Sequence, residues 1–177
     1  MPEPAATIEI RLSSLQQLFN SLDPSPFHER DLDQDAEEYI VDSTDEIPLQ
    51  KPLTLIIHLP PDQIPGDSFD LARAIHNYFA YRLTESRRRL RFFFRDGRIS
   101  LLVGVAFLFA CIALRQIAFA LGPGTGSEIL AEGLLITGWV AMWRPLEIFL
   151  YDWRPLRRRC RLLAKLCEIP VVVSPTV

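Results

Sequence analysis

"ISLLVGVAFLFACIAL", residues 99–114, holds no charged side chain, and past Arg115-Gln116 the apolar run continues through "IAFAL" to about 23 residues. Roughly 20 such residues cover the hydrocarbon of a bilayer. A second run, "ILAEGLLITGWVAMW" (129–143), carries Glu132, meets Arg144-Pro145 and extends through "LEIFLY" to Tyr151. The expected arrangement is therefore two transmembrane helices, 99–121 and 129–151. The turn between them at 122–128 is short, and its "GPGTGS" suits antiparallel neighbours.

Charge divides around these spans. Of 177 residues, 1–86 hold 5 Lys/Arg against 16 Asp/Glu, net −11, and 87–177 hold 14 against 6, net +8. Arg87, Arg88, Arg89, Arg91, Arg95 and Arg98 precede the first span. Arg154, Arg157, Arg158, Arg159, Arg161 and Lys165 follow the second, and the turn has no Lys or Arg. The positive-inside rule then places both flanks in the cytoplasm and the turn outside. "MPEPAATIEI" lacks the basic-then-apolar order of a cleavable signal peptide, so the first span is expected to direct insertion. Cys160 and Cys167 fall on the reducing side and no disulfide is expected.

The flanks read as an α+β domain. "TIEIRL" (7–12) alternates as a strand does, and "PLTLIIHL" (52–59) suits a strand buried on both faces. "SSLQQLFNSL" suggests a short helix capped by Ser13 or Ser14, and the prolines of "SLDPSPF" suggest an extended elbow. From Asp31, the spacing of Leu32, Ala36, Tyr39 and Ile40 predicts an amphipathic helix with an acidic start. A further helix carries Phe69, Ala72, Ile75, Phe79 and Leu83 on one face, and nothing in "RLTESRRRLRFFFR" ends it before the membrane. Residues 153–168 form a basic helix and "IPVVVS" (169–174) a last strand. The expected layout is a cytoplasmic domain at 1–95, with a three-stranded sheet and two or three helices. Residues 153–177 pack with it from the far side of a two-helix transmembrane hairpin. The alternative for the tail is a helix in the headgroup layer.

Chemistry-bearing patterns are sparse. Asp31, Asp33 and Asp35 match the first three ligand positions of an EF-hand, but position six has Ala36 and position twelve has Asp42. A solvated helix start, with Asp31, Asp33, Asp35, Glu37 and Glu38 as an acidic docking face, explains the run better. That face could meet the protein's own basic segments or a partner's. His28, His58 and His76 are scattered, and there is no nucleophile elbow or phosphate loop, so neither a catalytic centre nor a cofactor or metal is expected.

The charges in the spans carry more. An ionisable group in hydrocarbon costs about 2.5–3.5 kcal/mol on insertion scales. Arg115 and Glu132 flank the turn at similar distances, which predicts one depth and an internal ion pair fixing hairpin register. "WRPL" occurs at 143–146 and again at 153–156. Trp143 and Trp153 suit the aromatic belt, and Pro145 should kink the second span where Arg144, Glu147 and Arg154 reach headgroups. Arg87, Arg88, Arg89, Arg91, Arg157, Arg158, Arg159 and Arg161 read as contacts to anionic lipid rather than to nucleic acid.

"FNSLDPSPFHERDLDQDAEEYI" (19–40) resembles the N-terminal signature of a group of small bacterial two-span inner-membrane proteins with this layout. The resemblance covers about the first sixty residues and the hairpin. It implies a bacterial inner membrane and brings no activity, ligand or catalytic residue. The leading functional expectation is a non-catalytic membrane anchor that recruits or regulates a protein partner, alone or as a homo-oligomer. A channel subunit lined by Arg115, Glu132, Arg144 and Glu147 is the alternative, and a membrane-associated enzyme the third.

Overall fold

A computed structural model of the chain describes residues 6–20, 30–64, 68–120 and 124–176. The "SLDPSPF" elbow, His28 and the first residues of the interhelical turn lie outside them. The fold is α+β and divides into two units, residues 1–87 with 158–177, and residues 88–157.

The first unit is built on three strands: β1 (Ala6–Arg11), β2 (Leu53–Leu59) and β3 (Val171–Pro175). They form a parallel sheet in the order β1-β2-β3. Ile8 lies opposite Leu55 and Ile10 opposite Ile57, and on the other edge of β2 Leu55 and Ile57 face Val171 and Val173. Parallel neighbours cannot be joined by a tight turn, so each pair requires a crossover. The first crossover contains helix α1 (Gln34–Asp45). The second contains everything from residue 60 to residue 170, the apolar runs included.

Burial alternates along β2: Leu53, Leu55, Ile57 and Leu59 are buried, whereas Thr54, Ile56 and His58 are half-buried. The expectation of a strand buried on both faces is thus corrected. The helices share one core with only the Leu53/Leu55/Ile57/Leu59 face. From helix α2 (Ser68–Ala120) come Leu71, Ala74, Ile75, Tyr78, Phe79 and Leu83. From helix α5 (Trp153–Leu166) come Leu163 and Leu166. His76 Nε2 donates to the Ile169 carbonyl at 2.8 Å, linking α2 to the approach of β3.

Helix α1 starts three residues later than Asp31. Asp33 is its cap, its carboxylate accepting from the Asp35 N–H at 3.0 Å. Leu32 precedes the helix and bridges to Phe19, and both are buried. The inward face is Glu37, Ile40, Val41 and Thr44, while Tyr39 is 52 % exposed. Of the expected face, Leu32 and Ile40 are buried and Ala36 packs against the core, whereas Tyr39 turns outward because Leu32, from which the period was counted, is not helical. Residues Leu15–Leu18 form a 3₁₀ turn rather than a regular helix, and Ser14 makes no side-chain cap.

The second unit contains the rest of α2, which at 53 residues continues from the first unit without interruption. It also contains α3 (Thr125–Ala141), α4 (Trp143–Glu147) and a π-helical turn at Ile148–Asp152. Two helical stretches, Leu71–Ala120 and Thr125–Leu166, are long and apolar enough to cross a membrane.

Small residues form the seam between these helices. Gly97, Gly104, Cys111 and Ala118 recur every seven residues on α2 and are all buried, and Ala131, Gly138 and Pro145 do the same opposite them. A Cβ on Gly104 would stand 3.3 Å from the Ala141 carbonyl oxygen, Met142 Sδ and Pro145 Cγ alike. One on Gly138 would stand 2.8 Å from Leu108 and 3.2 Å from Cys111. Without a side chain between them the two backbones approach closely, the usual basis of helix association in lipid.

Pro145 explains the interruption between α3 and α4. It cannot donate to the Ala141 carbonyl four residues earlier, and Met142 instead donates to Trp139 in a tightened turn. The freed carbonyl is the one that Gly104 accommodates.

Gly104→Leu has no way to fit without displacing Ala141 and the Pro145 ring, and should destabilise the protein by about 1–3 kcal/mol. Gly126→Leu, where a Cβ meets nothing within 4 Å, should be tolerated. Equal thermal midpoints for both variants in detergent micelles would disprove the seam.

Candidate functional site

A polar pocket of about 390 Å³ opens in the first unit between α1 and α2, with Arg159 of α5 at its edge. Its floor is a carboxylate that sequence reading places in water. Glu37 is only 7 % exposed because it shares the inward face of α1 with Ile40, Val41 and Thr44. Tyr78 and Arg82, one turn apart on α2, both reach it. The Tyr78 hydroxyl donates to Oε2 at 2.6 Å, Arg82 Nε to Oε1 at 2.9 Å and Arg82 Nη2 to Oε2 at 2.8 Å. Glu85 holds the other side of the guanidinium at 3.1 Å, and Arg159 of α5 stands 3.9 Å from Glu37.

This clamp corrects the membership of the acidic docking face. Glu37 is buried and paired, Asp33 is occupied as a helix cap, and Asp31, Asp35 and Glu38 are exposed. Asp31, Glu38 and Asp42 line the pocket, so its rim is acidic while its floor is neutralised. Nearby, Arg158 Nε meets Asp45 Oδ1 at 2.8 Å and its Nη2 donates to the Asp45 carbonyl. The acidic helix therefore does meet the protein's own basic segment, through Arg158 and Arg159.

The pocket offers recognition rather than an available base. Both Glu37 oxygens are already engaged. Burial, reinforced by the hydrogen bond and the negative charge of Glu37, raises the Tyr78 pKa well above its ordinary value of 10.0, so the phenol keeps its proton. At Arg82 burial opposes the charge, but the hydrogen bond to Glu37 and the surrounding Tyr78, Glu37 and Glu85 outweigh it, and the pKa rises. Burial raises the Cys167 thiol, Glu168 adds to this, and Arg87 opposes it. Among the described residues no three His, Cys, Asp or Glu side chains converge as a metal site would require.

The remaining sequence-derived residues fall into separate groups. Arg88 and Arg91 line a groove along α2 with Phe92 and Arg95, whose guanidinium covers the Phe92 ring at 5.2 Å. Arg157 covers Trp153 at 5.5 Å, and Arg154 covers Tyr151 at 5.8 Å. Trp143 Nε1 donates to Glu147 at 2.8 Å, and Arg144 bridges Glu147 and Asp152, each at 3.3 Å. Each WRPL begins a helix, α4 or α5, and Asp152, not singled out from sequence, completes the first cluster. Arg161 is exposed. Arg89 has a partner of its own.

Arg115 and Glu132 are not joined. Among the described residues no ion pair links them: the Arg115 guanidinium covers Phe119 at 5.1 Å with Nε unpartnered, and Glu132 is exposed. They are nonetheless level. Gly97 opposes Ile148 and Phe149, Gly104 opposes Ala141 to Pro145, and Gly138 opposes Leu108 and Cys111, and that register continues to Arg115 opposite Glu132.

Compared with known protein families, with curated proteins and with solved structures, the chain matches none.

Sequence reading missed Tyr78, Arg82 and the seam glycines. The seam was readable as small residues at a strict seven-residue spacing. The clamp was not, because its members are more than forty residues apart and have no local pattern.

Tyr78 makes a definite pH signature. A raised folded-state pKa contributes stability that is full below the unfolded value near pH 10 and lost as pH rises above it. Tyr78→Phe should cost about 1 kcal/mol at neutral pH and flatten the decline in unfolding midpoint as pH rises above about 10. Parallel curves for the two proteins would rule out this role.

Proposed function

We propose that the protein is a two-span inner-membrane anchor with both flanks in the cytoplasm, whose α/β unit recruits or regulates a partner carrying a basic segment. The observation that carries this is the composition of the first unit. Its sheet takes β1 and β2 from before the hairpin and β3 from after it. A domain assembled from both flanks requires both on one side of a membrane, hence an even number of crossings. The arginine clusters on the flanks and the absence of Lys and Arg from the turn favour the cytoplasm for that side. Leu102, Val103, Phe109, Ile117, Ile129, Ile136 and Val140 are all exposed, an apolar surface that water would not tolerate and lipid would. The resemblance of residues 19–40 supports a bacterial setting.

The docking face in this reading is Asp31, Glu38 and Asp42 around the pocket mouth together with the exposed Asp35 outside it, with Glu37 beneath as its support. Acidic, exposed and carried on a rigid capped helix, it suits Lys/Arg-rich chains and would repel phosphate. The arginines at Arg87, Arg88, Arg89, Arg91, Arg157 and Arg161 serve anionic headgroups in this reading, while Arg158 and Arg159 also hold α1.

Topology has a direct test. In a background without native cysteines, Gly126→Cys should react with an impermeant maleimide on intact cells and Ser174→Cys only after permeabilisation. The opposite pattern, or labelling of both, would refute the orientation. Recruitment is tested by purifying the full-length tagged protein from cross-linked membranes. A discrete partner should be recovered with the native chain and reduced about tenfold by Glu38→Lys with Asp42→Lys, a loss of about 1.4 kcal/mol. Identical recovery from both would exclude this face.

A further inference from the structure

The level but unjoined charges of the hairpin point to a contact outside the chain. Arg115 follows the seam residue Cys111 by four positions and Glu132 follows Ala131 by one. Four residues turn a helix about 40° and one residue about 100°. Because the two helices run antiparallel, viewed from one end those rotations have opposite sense, and they carry both side chains to the same face of the hairpin. On that face Ile112, Phe119, Ile136 and Trp139 surround the two charges, and Glu128 lies one turn before Glu132 at the helix start.

Among the described residues neither charge has an opposite charge beside it in its own chain, and Arg115 has only the Phe119 ring. Glu132 lies seven residues inside the start of α3, about 10 Å along the axis, farther than its own side chain reaches to the helix end. The cation at its level is Arg115, whose Nε is without a partner. We propose that a second copy of this chain covers the face, with Arg115 of each copy pairing with Glu132 of the other.

A two-fold axis along the membrane normal leaves every residue at its own depth. It sets α2 of one copy against α3 of the next, so the level pair is matched twice by one operation. Depth, face and sign agree with this arrangement. A lipid headgroup fails on depth for Glu132, seven residues inside the start of α3. The inference is independent of the recruiting role and of the partner that role implies; a monomer would still have its docking face.

The test uses full-length copies with two different tags, co-expressed, extracted in mild detergent and captured through one tag. Native copies should capture each other. Arg115→Glu alone gives a copy with two acids on this face and Glu132→Arg alone a copy with two bases, and each expressed by itself should lose capture about tenfold. Co-expressing the two single variants should restore it, since one copy then complements the other. A pair formed within one chain cannot be rescued in this way. Glu132→Gln is the milder variant: with the thermal midpoint kept, it should also weaken capture. Monomeric native protein, undiminished capture in the charge-reversed variants, or failure of the mixed pair with both variants at native abundance in the membrane would each overturn the proposal.

Discussion

The pairing of β2 with a strand from each flank is the constraint on which the architecture rests. A central parallel strand presents donors and acceptors on two edges, and leaving one bare costs hydrogen bonds and invites foreign strands. Here one edge takes residues 6–11 and the other takes residues 171–175. All of α2, α3, α4 and α5 therefore lies within a single crossover. The apolar helices are not appended to a domain; they are a long connection inside one.

The acidic half of the chain is explained by where its charges are used. Asp33 accepts the Asp35 N–H in the first turn of α1, Asp45 holds Arg158, and Glu37 anchors α1 to α2 through Tyr78 and Arg82. Removing one partner from a buried pair leaves an uncompensated charge and costs about 3–5 kcal/mol. Part of the −11 thus does structural work against part of the +8, and what remains on the α1 surface is smaller and better defined than composition suggests. Arg158 and Arg159 have the same double use, basic residues beside an apolar span that also fasten the acidic helix.

Much of this was legible in advance. Apolar length and flanking arginines located the helical hairpin, alternation located β1, and branched apolar residues located β2 and β3. Local signals failed where the deciding contact was distant. Periodicity counted from Leu32 brought Leu32, Ala36 and Ile40 to the core but wrongly added Tyr39 and left out Glu37, Val41 and Thr44, because Leu32 is held in a bridge to Phe19 rather than in the helix. Glu37 was assigned to water because carboxylates usually are, and only Tyr78 and Arg82, on a different helix, make its burial affordable. In the hairpin, depth was readable from distance to the turn, whereas orientation was not. Arg115 and Glu132 share a level, yet the seam of Gly104, Cys111, Gly138 and Ala131 turns Glu132 outward.

The placement of the hairpin also orders the events of folding. β1, α1 and β2 emerge first, but the sheet cannot close until residues 171–175 exist, more than a hundred residues after β2. Contacts of such sequence separation form late, since loop closure precedes any gain from pairing. With the two helices in a membrane, the strand that completes the sheet reaches it only if both have crossed. A single crossing leaves residues 158–177 on the far side, with Leu163, Leu166 and Ile169 absent from the core and one edge of β2 open. In the proposed reading, closure of the sheet is thus conditional on insertion of both spans, and so is the conformation of α1 that Arg158 and Arg159 help to hold.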